Sequence, residues 1–125
     1  MEIIYSKNAP EPIGPYSQAV LVNGLLYISG QIAINPKTQE LIKGSIESET
    51  TQVMENIGSI LKEASTDFSK VIKSSIFIKN MNDFTKVNQV YGKYFNENSP
   101  ARETIEVSKL PKNSNIEISC IASVH

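Results

Sequence analysis

The stretch SPARETIEVSKLP contains Arg102, the only arginine in a chain whose other eleven cationic side chains are lysines. An arginine differs from a lysine because its planar guanidinium donates two parallel hydrogen bonds to a carboxylate or a phosphate. Its use at a single position therefore indicates a site that binds a small anion. The alternative interpretation is a surface ion pair, which contributes only about 0–1 kcal/mol.

A second candidate for chemistry is Glu117, in the run NIEISCIASV near the C-terminus. Apolar side chains alternate from Ile116 to Val124, which predicts a strand with one core-facing side and places Glu117 on the other side. A carboxylate in a cleft acts as a general acid or base. On an open strand face it is more often solvated or paired.

Four further residues have both a structural and a functional interpretation. Tyr16, in IGPYSQ, either packs its ring as a loop anchor or presents its hydroxyl to a ligand. Ser29 and Gly30, in YISGQ, either form a turn in which glycine permits a positive φ or direct a hydroxyl and a backbone N–H at a ligand. Asn88 interrupts the pattern of the second predicted helix, where an ordinary boundary residue is the simplest interpretation.

Absent residues and motifs exclude several kinds of site. The only histidine is His125, the last residue, so a Ser-His-Asp triad or a histidine metal site would need the chain end. Neither GxGxxG nor GxxxxGK[ST] occurs, which leaves dinucleotide and P-loop sites without support. Any chemistry is therefore expected to use Arg, Glu, Asp, Tyr, Ser, Thr, Lys or backbone groups.

Charge and hydropathy define the expected partners and compartment. The formal net charge is −1, from 12 basic and 13 acidic residues, so one chain is not expected to bind nucleic acid unless assembly creates a basic patch. No apolar run approaches the roughly 20 residues that span a bilayer, and MEIIYSKNAPEP lacks the pattern of a signal peptide. The lone Cys120 cannot form an intramolecular disulfide. Together these features predict a cytoplasmic protein without membrane contacts.

The elements that position these residues follow from hydrophobic periodicity. AVLVNGLLYISGQ predicts a hairpin that turns at Asn23-Gly24. Residues 46–65 carry one helical apolar stripe, and a second helix is predicted over residues 83–96 with Asn82 as its N-cap. Further strands are predicted in EIIYS, KVIKSSIFIKN, RETIEVS and NIEISCIASV.

The order of these elements, β-β-β-α-β-α-β-β, predicts a single α+β domain over residues 1–125. A mixed six-stranded sheet with two helices packed on one face is the expected architecture. In the fourth strand, Ile72, Ile76 and Ile78 are expected to share the face that the helices cover.

The other face of the sheet also needs an explanation. In RETIEVS, the apolar Ile105 and Val107 are taken to mark the core side, so Arg102 is expected on the open face. Phe77 and Ile121 are expected there as well. A half-apolar open face of this kind indicates burial against another subunit.

Six motifs occur together, in one order, along nearly the whole chain: IGPYSQA, YISGQ, NPKT, FIKNMNDFTKVNQVY, PARETIEV and LPKNSNIEI. Each is weak alone, but the set is specific, above all PAR followed by LPK and IEI. Through these motifs the chain resembles the RidA/YjgF family of small imine deaminases. The resemblance implies a chorismate-mutase-like α+β fold whose final strand inserts between the third and the fourth. It also implies a homotrimer with clefts between its subunits.

The same resemblance implies hydrolysis of reactive 2-imino acids, such as 2-iminobutanoate and 2-iminopropanoate, to 2-oxo acids and ammonia without a metal or cofactor. It implies that Arg102 holds the substrate carboxylate and that Glu117 is linked to the attacking water. The positions that line the family's cleft correspond to Tyr16, Ser29, Gly30, Asn88 and Thr104.

Two departures from the family pattern leave Arg102 and Glu117 unchanged. Some members have cysteine in place of Thr104, and many have a second acid in place of Ser119. Two other functions also stay open. The trimer could sense 2-oxo acids or bind proteins without catalysis. Ribonuclease activity, ascribed to some relatives, fits less well because RNA backbones favour a basic groove.

Overall fold

A mixed six-stranded sheet is covered on one face by two helices in the computed structural model, which describes residues 1–125. The sheet has the strand order β1-β2-β3-β8-β6-β7, and β4 pairs with β5 in a separate small hairpin. This architecture confirms the predicted α+β fold. The elements in chain order are β1 (Glu2–Ile4), β2 (Ala19–Val22), β3 (Leu25–Gln31), β4 (Ile34–Asn35), β5 (Glu40–Leu41), α1 (Ile46–Glu63), β6 (Val71–Ile78), α2 (Phe84–Gly92), β7 (Ala101–Glu106) and β8 (Ile116–Ser123).

The predicted hairpin turns at Asn23 and Gly24, whose φ angles are 52° and 76°. Two successive positive φ values define a type I′ turn, and asparagine and glycine tolerate them best. The turn brings Leu25 opposite Val22 and fixes the register of β2 against β3. The beginning of β3 is therefore specified locally by the sequence.

Helix α1 forms where its apolar stripe was predicted. Ser45 caps its N-terminus by accepting a hydrogen bond from the backbone N–H of Ser48 at 3.1 Å. Val53, Ile57 and Leu61 on the stripe are fully buried against the sheet. Neither α1 nor α2 is long and apolar enough to cross a membrane.

Helix α2 is shorter than predicted, and Asn82 does not cap it. Asn80 instead caps a short 3₁₀ turn before the helix by accepting from the N–H of Asn82 at 3.0 Å. The helix ends at Gly92, a residue of low helix propensity. Beyond it, Tyr94 and Phe95 continue in a tighter turn with bonds to residues three positions earlier.

The start of β6 also differs from the prediction. The pairing of β6 with β8 shifts between Val71 and Lys73, which turns Ile72 outward. Its side chain is 48% exposed, whereas Val71, Ile76 and Ile78 are buried. One extra residue in a strand reverses which side chains point towards the core and which point outward. Assigning every second residue to the core face therefore fails at this position.

The last strand inserts into the middle of the sheet, as the family resemblance implied. β8 pairs antiparallel with both β3 and β6, while β7 pairs parallel with β6 at the sheet edge. The connector from β7 to β8 contains a turn at Pro111–Asn113 in which Lys112 and Asn113 adopt positive φ. Although the connector is short, it crosses β6 and does not form a hairpin.

The orientation of β7 corrects the prediction for Arg102, which lies on the helix-covered face of the sheet. In the parallel register Arg102 pairs with Ser74, and Ile105 pairs with Phe77. Ser74 is fully buried on the helix side, whereas Ile105 is 45% exposed. The prediction was wrong because it took apolar side chains as the mark of the core side, and at this edge the open face is itself apolar.

Candidate functional site

The first cavity, of about 480 Å³, brings together four of the predicted site residues. Tyr16 enters it from the loop before β2, Ser29 and Gly30 from the end of β3, and Glu117 from β8. The adjacent pairing of β3 with β8 explains why residues distant in sequence meet here. These four residues therefore form one cluster of candidate site residues.

Gly30 is needed because the Glu117 side chain lies directly against it. A Cβ atom placed on Gly30 would lie 2.4 Å from Glu117 Oε2 and 2.6 Å from its Cδ. The register of β3 against β8 shifts between Ile28 and Gln31, so Gly30 belongs to a bulge inside β3. Its φ is not positive, and the alternative of a glycine turn is therefore wrong.

The carboxylate of Glu117 is partly buried and unpaired. No side chain or backbone group of the chain donates a hydrogen bond to it, and no lysine or arginine lies within ion-pair distance. Burial raises the pKa of Glu117 above its usual value because the charged form loses solvation. The group is thus free to bind water or ligand and is more basic than an ordinary glutamate.

The other two side chains of this cavity differ in what they offer a ligand. Tyr16 is 50% exposed, and its hydroxyl accepts from the N–H of Ile13 at 3.4 Å, which leaves its proton available. Ser29 Oγ donates to the carbonyl of Ser17 at 2.6 Å. Ser29 therefore holds the loop in place, while Tyr16 has a free donor.

The second cavity, of about 260 Å³, lies between β7 and α2 and contains Arg102 and Asn88. Arg102 Nη1 donates to Asn88 Oδ1 at 2.8 Å. The guanidinium carbon lies 5.1 Å from the ring centroid of Tyr91 and 5.6 Å from that of Phe84, within the range of cation–π attraction. Arg102 makes no ion pair, because the only salt bridge of the chain joins Lys73 to Glu103.

Thr104 shares the helix-covered side of β7 with Arg102, since it pairs with the buried Ile76. Its Oγ1 is the only buried side-chain polar atom of the chain without a hydrogen-bond partner. A buried hydroxyl without a partner is unfavourable by about 1–3 kcal/mol. Thr104 therefore lies beside Arg102 on the same face of β7, but its hydroxyl is closed to solvent and it lines neither cavity.

The two groups of residues lie on opposite faces of the sheet. Glu117 is on the open face of β8, Arg102 is on the helix-covered face of β7, and β6 lies between these strands. Strand spacing alone separates β8 from β7 by roughly 10 Å. A ligand the size of a small amino acid therefore cannot contact both residues within one chain.

Three contributors were missed by sequence reasoning. Phe84 and Tyr91 were assigned only to the apolar stripe of α2, but together with Asn88 they occupy positions i, i+4 and i+7 of one helix face and surround Arg102. That spacing was the available signal. No pattern in the sequence indicated Gln18, because its role depends on main-chain groups that come close to it only in the folded loop.

Gln18 is buried and bonded on both ends of its amide. Its Oε1 accepts from the N–H of Ser6 at 2.6 Å, and its Nε2 donates to the carbonyls of Ser6 and Pro10 at 3.0 and 2.9 Å. A longer bond of 3.4 Å reaches the carbonyl of Ala9. This one side chain therefore fixes the path of the loop that bears Tyr16.

Metal-binding side chains are not clustered in the structure, which has no group of three or more His, Cys, Asp or Glu placed to hold an ion. The thiol of Cys120 is buried, and this burial raises its pKa to about 11. Cys120 lies on the helix-covered face of β8, away from Glu117.

Comparison with known proteins gives consistent matches over the whole chain. A protein-family model described as endoribonuclease L-PSP matches residues 6–124. The human protein named 2-iminobutanoate/2-iminopropanoate deaminase is 46% identical over 120 residues, which cover 96% of this chain and 88% of the human one. The structure of YyfA from Yersinia pestis, described as a member of the conserved Rid family, is 50% identical with a TM-score of 0.96, covering 98% of both chains. Escherichia coli TdcF, solved with bound serine, is 34% identical with a TM-score of 0.94, again covering 98% of both.

Proposed function

The chain belongs to the RidA/YjgF family, and from this premise we propose that it hydrolyses small 2-imino acids, such as 2-iminobutanoate and 2-iminopropanoate, to 2-oxo acids and ammonia. The observation that carries the proposal is the environment of Arg102. Its side chain lies in the second cavity and forms no ion pair with a carboxylate of its own chain. The amide of Asn88 and the rings of Phe84 and Tyr91 hold the guanidinium in place. A restrained guanidinium with free N–H groups suits a small carboxylate. The name of the human relative and the serine bound to TdcF agree with such a ligand.

The complete site is proposed to form between subunits of a homotrimer. Arg102, Asn88 and Thr104 of one subunit would face Tyr16, Gly30 and Glu117 of the next, since these two sets lie on opposite faces of the sheet in a single chain.

The open face supports such an assembly because it is apolar. Tyr27 is 41% exposed and Ile105 45% exposed on this face, with Phe77 and Ile121 partly buried beside them. Apolar area of this kind is favourable to cover, at roughly 25 cal/mol per Å².

Binding of the substrate begins at its carboxylate. Two parallel N–H groups of Arg102 would hold the two carboxylate oxygens. The aromatic rings of Phe84 and Tyr91 exclude water from one side of the guanidinium. The electrophilic carbon next to the carboxylate is thereby fixed in position before water attacks it.

Hydrolysis then needs one base that later acts as an acid, and Glu117 has the required properties. Its carboxylate orients a water molecule and accepts a proton as the water oxygen bonds to the imine carbon, while the imine nitrogen takes a proton from solvent. The resulting carbinolamine breaks its C–N bond as Glu117 returns its proton to nitrogen and the hydroxyl gives its own proton back to solvent. The products are a 2-oxo acid and ammonia, and the raised pKa of Glu117 suits both proton transfers.

The activity is tested by generating 2-iminobutanoate in situ with a threonine dehydratase and trapping the imine with semicarbazide. The wild-type protein is expected to divert imine to 2-oxobutanoate and so reduce the trapped fraction, and Arg102→Ala is expected to have no such effect. Absence of any wild-type effect on this imine and on smaller and larger ones would overturn the proposed function.

The shared site is tested separately by mixing two inactive chains. Arg102→Ala and Glu117→Gln subunits are coexpressed with different tags, and trimers carrying both tags are isolated. In each mixed trimer one of the three sites has both wild-type residues, so the isolated mixed trimers are expected to recover about one third of the wild-type activity. With an active wild type, no recovery in mixed trimers would show that Arg102 and Glu117 do not act together across a subunit interface.

Endoribonuclease activity, which the description of the family model names, is less consistent with this site. Besides Lys112, the first cavity contains the carboxylates of Glu11 and Glu117, which repel a phosphate backbone. RNA cleavage that copurifies with the wild type and disappears in Arg102→Ala would favour it. Binding of 2-oxobutanoate with no turnover of any imine would instead identify a sensor.

A further inference from the structure

Arg102 is positioned by one helix, and the position of that helix relative to the sheet decides where the guanidinium lies. Its side-chain hydrogen bond and both of its cation–π contacts come from α2: the amide of Asn88 and the rings of Phe84 and Tyr91. Each of these could move with the helix. A guanidinium that binds a carboxylate through two hydrogen bonds must be placed precisely, because misplacement of one N–H removes one of those bonds.

Tyr91 is the one contact that is also bonded to the sheet. Its hydroxyl donates to Ser74 Oγ at 2.9 Å, and both side chains are buried. Burial raises the pKa of Tyr91, although the bond to Ser74 opposes the shift, so the hydroxyl remains a donor at neutral pH. Asn88 and Phe84 have no comparable bond to β6 or β8.

Ser74 is a polar residue in an apolar layer, and its place in the sheet is informative. It pairs with Arg102 across β6 and β7 and with Cys120 across β6 and β8, where its Oγ lies 3.5 Å from Cys120 Sγ. A buried hydroxyl is unfavourable unless it is bonded. Here its main partner is the residue whose ring lies against the guanidinium.

We infer that the Tyr91–Ser74 hydrogen bond is a positioning device that holds the Tyr91 ring, and through it the Arg102 guanidinium, in register with β7. This inference rests on the proposed function for its effect on ligand binding, although its structural content does not. Tyr91 and Ser74 are positioning residues, since neither hydroxyl reaches the ligand. The hydroxyl of Tyr91 is the only group lost in Tyr91→Phe, because the ring and its cation–π contact are kept.

The first readout is the dynamics of Arg102 itself. Because the chain has only one arginine, a ¹⁵N-labelled sample gives a single arginine Nε–Hε signal in its ¹H–¹⁵N spectrum. We expect this signal to move towards the position and mobility of a free arginine in both Tyr91→Phe and Ser74→Ala. Tyr94→Phe is the control, because it removes the 2.8 Å hydrogen bond from Tyr94, just beyond the end of α2, to Glu55 on α1 and does not involve Arg102.

The second readout is the Kd of 2-oxobutanoate, measured by calorimetry. Tyr91→Phe, Ser74→Ala and the double variant are each expected to weaken binding by about threefold to tenfold, the range of one hydrogen bond. The double variant should equal the single ones because all three remove the same bond. In the Arg102→Lys background, which lacks the fork, Tyr91→Phe should have no further effect on Kd.

The two readouts separate failure of the inference from failure of the proposed function. An unchanged Nε–Hε signal in both Tyr91→Phe and Ser74→Ala overturns the positioning role even if the protein is an active deaminase. A displaced signal in both variants but not in Tyr94→Phe supports it even if the wild type binds no 2-oxo acid.

Discussion

Adding one methyl group at Gly30 should inactivate the site while leaving the fold intact. The methyl carbon of Gly30→Ala would lie 2.4 Å from Glu117 Oε2, 2.6 Å from Cδ and 3.0 Å from Cγ, whereas ordinary contact begins at 3.4 Å. The Glu117 carboxylate must therefore retreat by about 1 Å or adopt another rotamer. The backbone need not move, because the clash involves the flexible end of a partly exposed side chain.

The size of the effect on catalysis follows from that displacement. A misplacement of about 1 Å in a catalytic group lowers the rate by about 10²-fold. The change in the free energy of unfolding should stay below about 1 kcal/mol, because alanine also restricts the unfolded chain by about 0.4–1 kcal/mol. The added methyl group clashes only with Glu117 and leaves the proposed carboxylate contacts of Arg102 unchanged, so the Kd of 2-oxobutanoate should change by less than about threefold.

The assay compares imine turnover, 2-oxobutanoate binding and thermal unfolding in wild type, Gly30→Ala, Glu117→Gln and the double variant. If Gly30→Ala acts by moving Glu117, it should lower turnover strongly in the wild-type background and barely at all in the Glu117→Gln background. Turnover within about threefold of wild type in Gly30→Ala would refute the reasoning. Equal losses in both backgrounds would show that Gly30 acts by another route.

Three other results are expected. Arg102→Lys keeps the charge but loses the two parallel N–H donors, so kcat/KM should fall by about 10–100-fold with the proposed trimer unchanged in sizing. Wild-type kinetics would remove Arg102 from the anchoring role. Because burial raises the pKa of Glu117 in the folded state, its contribution to stability is present below the ordinary glutamate pKa and lost as pH rises through the raised value. The Tm advantage of Glu117→Gln over wild type should therefore be larger at about pH 7.5 than at about pH 4, and an equal difference at both would argue against burial as the cause. With the pKa of Cys120 raised to about 11, only about one thiol in a thousand is ionised at pH 8, so a thiol reagent should label it only on unfolding.

Local features of the sequence were sufficient to predict much of the fold. The Asn23-Gly24 turn depends on the backbone preferences of those two residues, and the stripe of α1 depends on spacing alone. The alternation in β8 likewise predicted that Ile118 would be buried and Glu117 would lie on the other face. Each of these signals lies within a single element and its immediate neighbours.

The errors arose where the outcome depends on other parts of the molecule. The side of β7 that faces α2 is set by pairing with β6, so Ile105 could be apolar and still exposed. The requirement for Gly30 comes from a side chain on another strand, which no local pattern contains. The position of β8 between β3 and β6 was available only from the family resemblance, because its short connector favours a hairpin.

The way Gln18 holds the loop before β2 has a consequence for how this protein can change. Its amide bonds only main-chain atoms, namely the N–H and carbonyl of Ser6 and the carbonyls of Ala9 and Pro10. Gln18 thus fixes residues 6–10, whereas the course between Ile13 and Tyr16 depends also on the Tyr16 hydroxyl, which accepts from the N–H of Ile13. Substituting Ile13, whose exposed side chain lies at the cavity wall, alters the chemistry of the wall without removing a side-chain bond that holds the loop. At this position the loop separates evolvability from foldability, and Ile13 is where a library of altered ligand preferences should be built.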